Sequence, residues 1–179
     1  MWQLATAMAE IAIRRRGPEG LPDSSFLVFF CLAVHALLVV VVAVILTGGL
    51  SAEILIRFVS RVVLFLAFVY AVLRLFRLER RYRQSVCAML GANIFIQVAF
   101  LPVGIGAVLM GVDILGEPFT AVSFAFELWS IFIGASILAR SLSQPLIVGL
   151  MLEILLVLTS LYAGQLLAPS AQQVAVEAV

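Results

Sequence analysis

The sequence predicts an all-α integral membrane helical bundle with about five transmembrane helices. Three observations predict it. Hydrophobic residues make up 64% of the 179-residue chain and charged residues only 12%, against roughly 45–50% and 25% in soluble domains. Mean hydropathy is +1.22, so there is too little polar surface to face water and lipid must be the solvent. The apolar residues are gathered into five stretches, each reaching the roughly 20 residues that cross a ~30 Å hydrocarbon core.

Residues 1–25 are read as a cytoplasmic N-terminal segment. Trp2, Leu4, Met8 and Ile11 fall on one helical face, which suits an interfacial helix lying on the membrane. A frayed, polar-tipped tail is the other reading. Arg14, Arg15 and Arg16 follow this apolar stretch, whereas a secretory signal places its charge first. Gly17-Pro18-Glu19-Gly20-Leu21-Pro22 breaks any helix, and Asp23, Ser24 or Ser25 is placed to cap the next. Residues 26–168 form the five-helix transmembrane domain. Its spans fall at about 26–46, 54–76, 86–112, 119–139 and 145–168. The links are short, so neighbouring helices are expected to pack antiparallel. Residues 169–179, beginning at Pro169, are a short non-cytoplasmic tail.

Arginine placement predicts the orientation. Arg14, Arg15 and Arg16 precede span one; Arg74, Arg77, Arg80, Arg81 and Arg83 surround the link between spans two and three; Arg140 lies between spans four and five. All three regions fall on one side. Glu53, Asp113, Glu117 and Glu177 fall on the other. The positive-inside rule then puts the N-terminus in the cytoplasm and the C-terminus outside; a bacterial inner membrane is the expected location, though arginine placement alone does not separate it from an organellar one. The Arg74–Arg83 cluster is expected to attract anionic lipid headgroups, at about 1 kcal/mol per residue.

Ionisable groups inside a span cost about 2.5–3.5 kcal/mol each on insertion scales, so each is expected to face a partner or water. His35 and Glu153 each lie about nine residues in from the basic side, and Asn93 and Gln97 about eight and twelve. These four share one depth band and are compatible with an intramembrane polar cluster. Asn93 and Gln97 are four residues apart and share a helix face. From the opposite side, Arg61 lies about eight residues into span two and Glu127 about nine into span four, a candidate ion pair. Arg57 can snorkel to the interface or pair with Glu53. Pro102 removes a helix hydrogen bond and clashes with the Val98 carbonyl, so a kink is expected there, with Gly104 and Gly106 loosening the helix beyond it. Gly134, Ala135, Ser136 and Ala139 offer span four a close-packing face.

Several function classes are disfavoured. Net charge is +1 and no basic stripe suits nucleic acid. Cys31 and Cys87 lack the spacing of a metal site or a disulfide framework. There is no GxSxG elbow, HExxH, Walker loop, or GxGxxG with an acidic partner, so neither catalytic residues nor a cofactor or metal site is predicted.

The five-span layout, together with the lead Arg15-Arg16-Gly17-Pro18-Glu19-Gly20-Leu21-Pro22-Asp23-Ser24, resembles the Yip1 family of small polytopic membrane proteins. The chain has no Asp-Leu-Tyr-Gly-Pro-like element, and no functional residue carries over. The resemblance implies a non-enzymatic scaffold or partner-binding protein. The expected function is therefore that of a scaffold or accessory subunit, without a cofactor, whose partners are membrane lipids and other membrane-protein subunits or a second copy. The alternative is a small transporter or channel subunit with a polar path through His35, Asn93, Gln97 and Glu153.

Overall fold

The computed structural model describes Thr6, Glu10, Ile11, residues 17–111 and residues 116–167. The expected interfacial helix at Trp2, Leu4 and Met8, the Arg14, Arg15 and Arg16 triplet, Asp113 and the tail from Pro169 through Glu177 lie outside the described residues. The described chain forms α1 (Ser25–Thr47), α2 (Ala52–Leu75), α3 (Tyr82–Leu109), α4 (Glu117–Leu142) and α5 (Leu146–Leu167), with 3-10 turns at Pro18–Gly20 and Glu79–Arg81. All five helices are long and apolar enough to cross a membrane. The chain is thus an all-α bundle with the spans of an integral membrane protein.

α1 is rich in valine, a mediocre helix former in water. In lipid the backbone must satisfy its own hydrogen bonds, and that outweighs side-chain propensity. The helix stops at Gly48, whose φ of 74° is left-handed and whose N–H reaches the Val44 carbonyl. Ser24 occupies the N-cap position of α1, but its side chain makes no capping bond. Asp23 instead pairs with Arg83 at 3.6 Å. Ser51 caps α2 by accepting from Ile54 N–H at 3.2 Å. Glu53 sits in that helix's first turn, where the dipole favours a negative charge, and pairs with Arg57 at 2.7 Å. α4 starts on Glu117 and Pro118, a residue suited to the first helical turn. α3 begins four residues before the apolar stretch, at Tyr82, because the Glu79–Arg81 turn feeds directly into it.

Helix order in space differs from order in sequence. α3 is the axial helix: 44% of its most apolar window is buried, against 6% for α2 and 11% for α1. α1 and α4 pack on α3, α5 packs on α4, and α2 lies on α5 and returns to α3. Between the sequential pair α1 and α2, the His35 and Phe58 rings lie 5.8 Å apart, centroid to centroid. An aromatic seam of Phe95, Phe100, Phe119, Phe126 and Trp129 joins α3 to α4. Tyr82 ties α3 to α2 through its hydroxyl, which donates to the Leu66 carbonyl at 3.3 Å, and through an edge-on contact with Tyr70.

The core is displaced toward the end that carries the arginines. Every residue from Ser85 to Ala92 of α3 is buried, as is every residue from Ile133 to Ala139 of α4. Ile11, Leu21 and Leu27 close the same cluster from the N-terminal side. Toward the opposite end, burial thins to residues such as Ala43, Gly104, Ala107 and Phe119.

Candidate functional site

The four polar residues expected in one cluster are distributed over three helix interfaces. On the first, between α1 and α3, His35 lies beside Gln97. His35 Nδ1 and Gln97 Oε1 are both buried without a hydrogen-bond partner among the described residues, and each is the complement the other lacks. On the second, between α3 and α4, Asn93 Oδ1 accepts from Ser130 Oγ at 2.9 Å. On the third, between α4 and α5, the Glu153 carboxyl lies against Gly134, in the space a side chain there would fill. Glu153 is 8% exposed, and its Oε2 has no partner among the described residues. No hydrogen bond links one interface to the next among those residues. The result is a row of separate polar contacts across α1, α3, α4 and α5.

α4 and α5 approach closely because both carry small residues at the crossing. A Cβ on Gly149 would overlap the Ala135 carbonyl and crowd Ala139. The small-residue face read from span four is thus the surface on which α5 packs. The reciprocal feature, Gly134 receiving Glu153, is not evident from single spans. Gly149 and Glu153 are one helical turn apart, and that spacing is the signal that they face the same neighbour.

Arg61 and Glu127 are both exposed on the bundle surface, and no ion pair joins them among the described residues. The physical reason is the packing order: α2 lies chiefly on α5, and α4 lies on α3 and α5. Equal depth did not bring the two helices together. Pro102 is exposed, and α3 continues as helix through it to Leu109. Gly104 is buried where a side chain would meet Leu46 of α1 at 3.4 Å, whereas Gly106 has room around it.

At the basic end, Arg74, Arg77 and Arg80 are exposed. Arg81, also exposed, reaches α4, its Nη1 donating to the Ser141 carbonyl at 2.8 Å and to Ser143 Oγ at 3.1 Å. Beneath it the buried Ser85 hydroxyl sits 2.8 Å from Ser141 Oγ. Gln84 Nε2 donates to the Leu21 carbonyl at 2.9 Å, holding the N-terminal lead against α3. These contacts enclose a concavity of ≈ 390 Å³ lined by Arg81 and Arg140. Sequence reading found the arginines without finding this hollow, because it is made by residues about 60 positions apart. It likewise missed that Cys31 and Cys87, both fully buried free thiols, lie within hydrogen-bonding reach across α1 and α3.

No protein-family model matches the chain, and no curated protein or solved structure matches it significantly.

Proposed function

We propose that the chain is a non-enzymatic membrane scaffold that works by lateral association, and that its nearest partner is a second copy of itself. One observation carries the proposal. Arg61 is nine residues beyond the start of α2 and Glu127 ten beyond the start of α4, which puts both about 14–15 Å deep along the helix axis. Both are exposed at that depth, where an uncompensated charge meets hydrocarbon. They are opposite in sign, and neither has an ion-pair partner within the described chain. A second copy carries both charges at matching depth. An accessory role beside a different subunit is the heteromeric form of the same reading, and the layout resemblance to the Yip1 family accords with either.

Native mass spectrometry of the particle, gently extracted from its own membrane, tests the proposal. Multiples of the 19.4 kDa chain support self-association. Stoichiometric additional polypeptides would instead identify an accessory subunit. A bare monomer rejects both forms. The grouping of Arg74, Arg77, Arg80, Arg81, Arg83 and Arg140 supports a cytoplasmic N-terminus.

A transporter or channel subunit is the second reading, and the buried His35 Nδ1, Gln97 Oε1 and Glu153 Oε2, which have no hydrogen-bond partner among the described residues, favour it. It requires that Glu153→Gln abolish proton flux into liposomes while leaving the fold intact; flux that persists unchanged rejects a path through Glu153.

A further inference from the structure

We propose that Cys31 and Cys87 form a reversible oxidation site, at which hydrogen peroxide converts two facing thiols into a disulfide that ties α1 to α3. Both residues are free thiols and both are fully buried. They belong to one apolar cluster, at the interface where α1 packs on α3. The two sulfurs lie within hydrogen-bonding reach of each other across it. A disulfide requires Cβ atoms about 3.5–4.5 Å apart. Side chains as short as cysteine touch across an interface only where the two backbones approach closely, so little movement separates the thiol pair from the bond. The positive-inside orientation puts this end of the bundle in the cytoplasm, where thiols rest reduced. The disulfide is therefore the state that an oxidant induces.

The N-terminal lead controls access to the pair. Leu27 lies one turn from Cys31 toward the basic end of α1, and Gln84 one turn from Cys87 toward the same end of α3. Gln84 Nε2 donates to the Leu21 carbonyl at 2.9 Å, and Asp23 pairs with Arg83 at 3.6 Å. Ile11, Leu21 and Leu27 are buried in the cluster that holds the thiols. A single hydrogen bond and an exposed ion pair are weak ties, so this cover opens locally while the spans stay packed. A buried thiol is inert until its oxidant reaches it, and hydrogen peroxide is small and uncharged enough to enter an apolar interior. One sulfur attacks a peroxide oxygen as the thiolate. The S–O bond forms, the O–O bond breaks, and the departing hydroxide takes up the thiol's proton and leaves as water. The second sulfur then attacks the sulfenic sulfur. The S–S bond forms, the S–O bond breaks, and a second water leaves. Two thiols and one peroxide thus give one disulfide and two waters, the sulfurs losing the two electrons that the peroxide gains. A small dithiol reverses the change by exchange.

The test treats the purified full chain in detergent with hydrogen peroxide, then unfolds it and labels the remaining thiols with N-ethylmaleimide. Intact mass and peptide mapping read the product. The wild-type chain is expected to lose two hydrogens, to take up no label and to yield a Cys31–Cys87 linked peptide. Dithiothreitol is expected to restore both thiols. The oxidised chain is expected to melt at a higher temperature than the reduced one, because the link constrains the unfolded state. Cys31→Ser and Cys87→Ser are each expected to give no link within the chain. Gln84→Ala is expected to give the wild-type product roughly threefold to tenfold faster, the worth of one hydrogen bond holding the cover. The wild-type chain carries the main readout, so the outcome does not depend on any variant folding. A treated wild-type chain that keeps both thiols, gains oxygen without a linked peptide, or links only one chain to another overturns the site. An unchanged rate in Gln84→Ala overturns the role of the lead as its cover.

Discussion

Adding a single methyl group at Gly149 would drive it into the Ala135 carbonyl, while the same addition at Gly134 meets only the far end of the Glu153 side chain. Backbone cannot retreat, but a carboxyl on a flexible stem can. Gly149→Ala is therefore expected to lower stability by about 1–3 kcal/mol and Gly134→Ala by clearly less. Thermal melting in detergent checks the order, and a larger loss at Gly134 would contradict the observed crossing of α4 on α5. The Asn93 contact with Ser130 has its own test. A double-mutant cycle with Asn93→Leu and Ser130→Ala should give a coupling of about 0.6 kcal/mol, the average for hydrogen bonds between membrane helices. Zero coupling would mean that the two groups do not meet in the membrane. At this scale the sequence was informative about which residues are anomalous in lipid, since Asn93, Glu153, Arg61 and Glu127 all interrupt apolar stretches. It was silent about their partners. Ser130 carries no signal of its own, because a serine in a span is inexpensive wherever it faces.

At the scale of the elements, the two helix ends nearest the basic side share one design. α2 closes with Leu78 N–H donating to the Leu73 carbonyl at 2.8 Å, and α4 with Gln144 N–H donating to Ala139 at 2.8 Å. In each, the left-handed position that glycine usually fills is held by another residue, Arg77 at φ 59° and Ser143 at φ 55°. Arg77→Gly should relieve roughly 1–2 kcal/mol of backbone cost. Ser143→Gly should gain less, because it also removes the Oγ that accepts from Arg81. Melting temperatures of the two variants decide the matter, and an equal gain would mean that the Arg81–Ser143 bond contributes nothing. The spans themselves were legible because length and apolarity identify a crossing without reference to any face. Their ends were less so. The start of α3 was placed at residue 86 in sequence terms, since Tyr82, Arg83 and Gln84 are polar enough to read as a link, yet helix begins at Tyr82.

For the whole molecule, the bundle order escapes sequence for a related reason. Four of the helices are apolar almost all round, so no stripe announces which side faces protein and which faces lipid. Short links predicted that successive helices would pair, and α3, α4 and α5 do pack in succession, but α1 turns to α3 and α2 reaches α5. The expected ion pair between Arg61 and Glu127 failed on that packing order, not on depth. Both charges remain at mid-span on the exterior, and the proposed function rests there. Burying them between copies would turn two costly groups into the specificity of an interface, since a charge in lipid tolerates few alternatives.

The most direct test is the mass of the particle extracted from native membrane, compared across charge reversals. Wild type is expected to be assembled, Arg61→Glu alone and Glu127→Arg alone to fall toward the single 19.4 kDa chain, and the double variant Arg61→Glu with Glu127→Arg to recover the assembled mass. A wild-type monomer, or single reversals that stay fully assembled, would contradict the account.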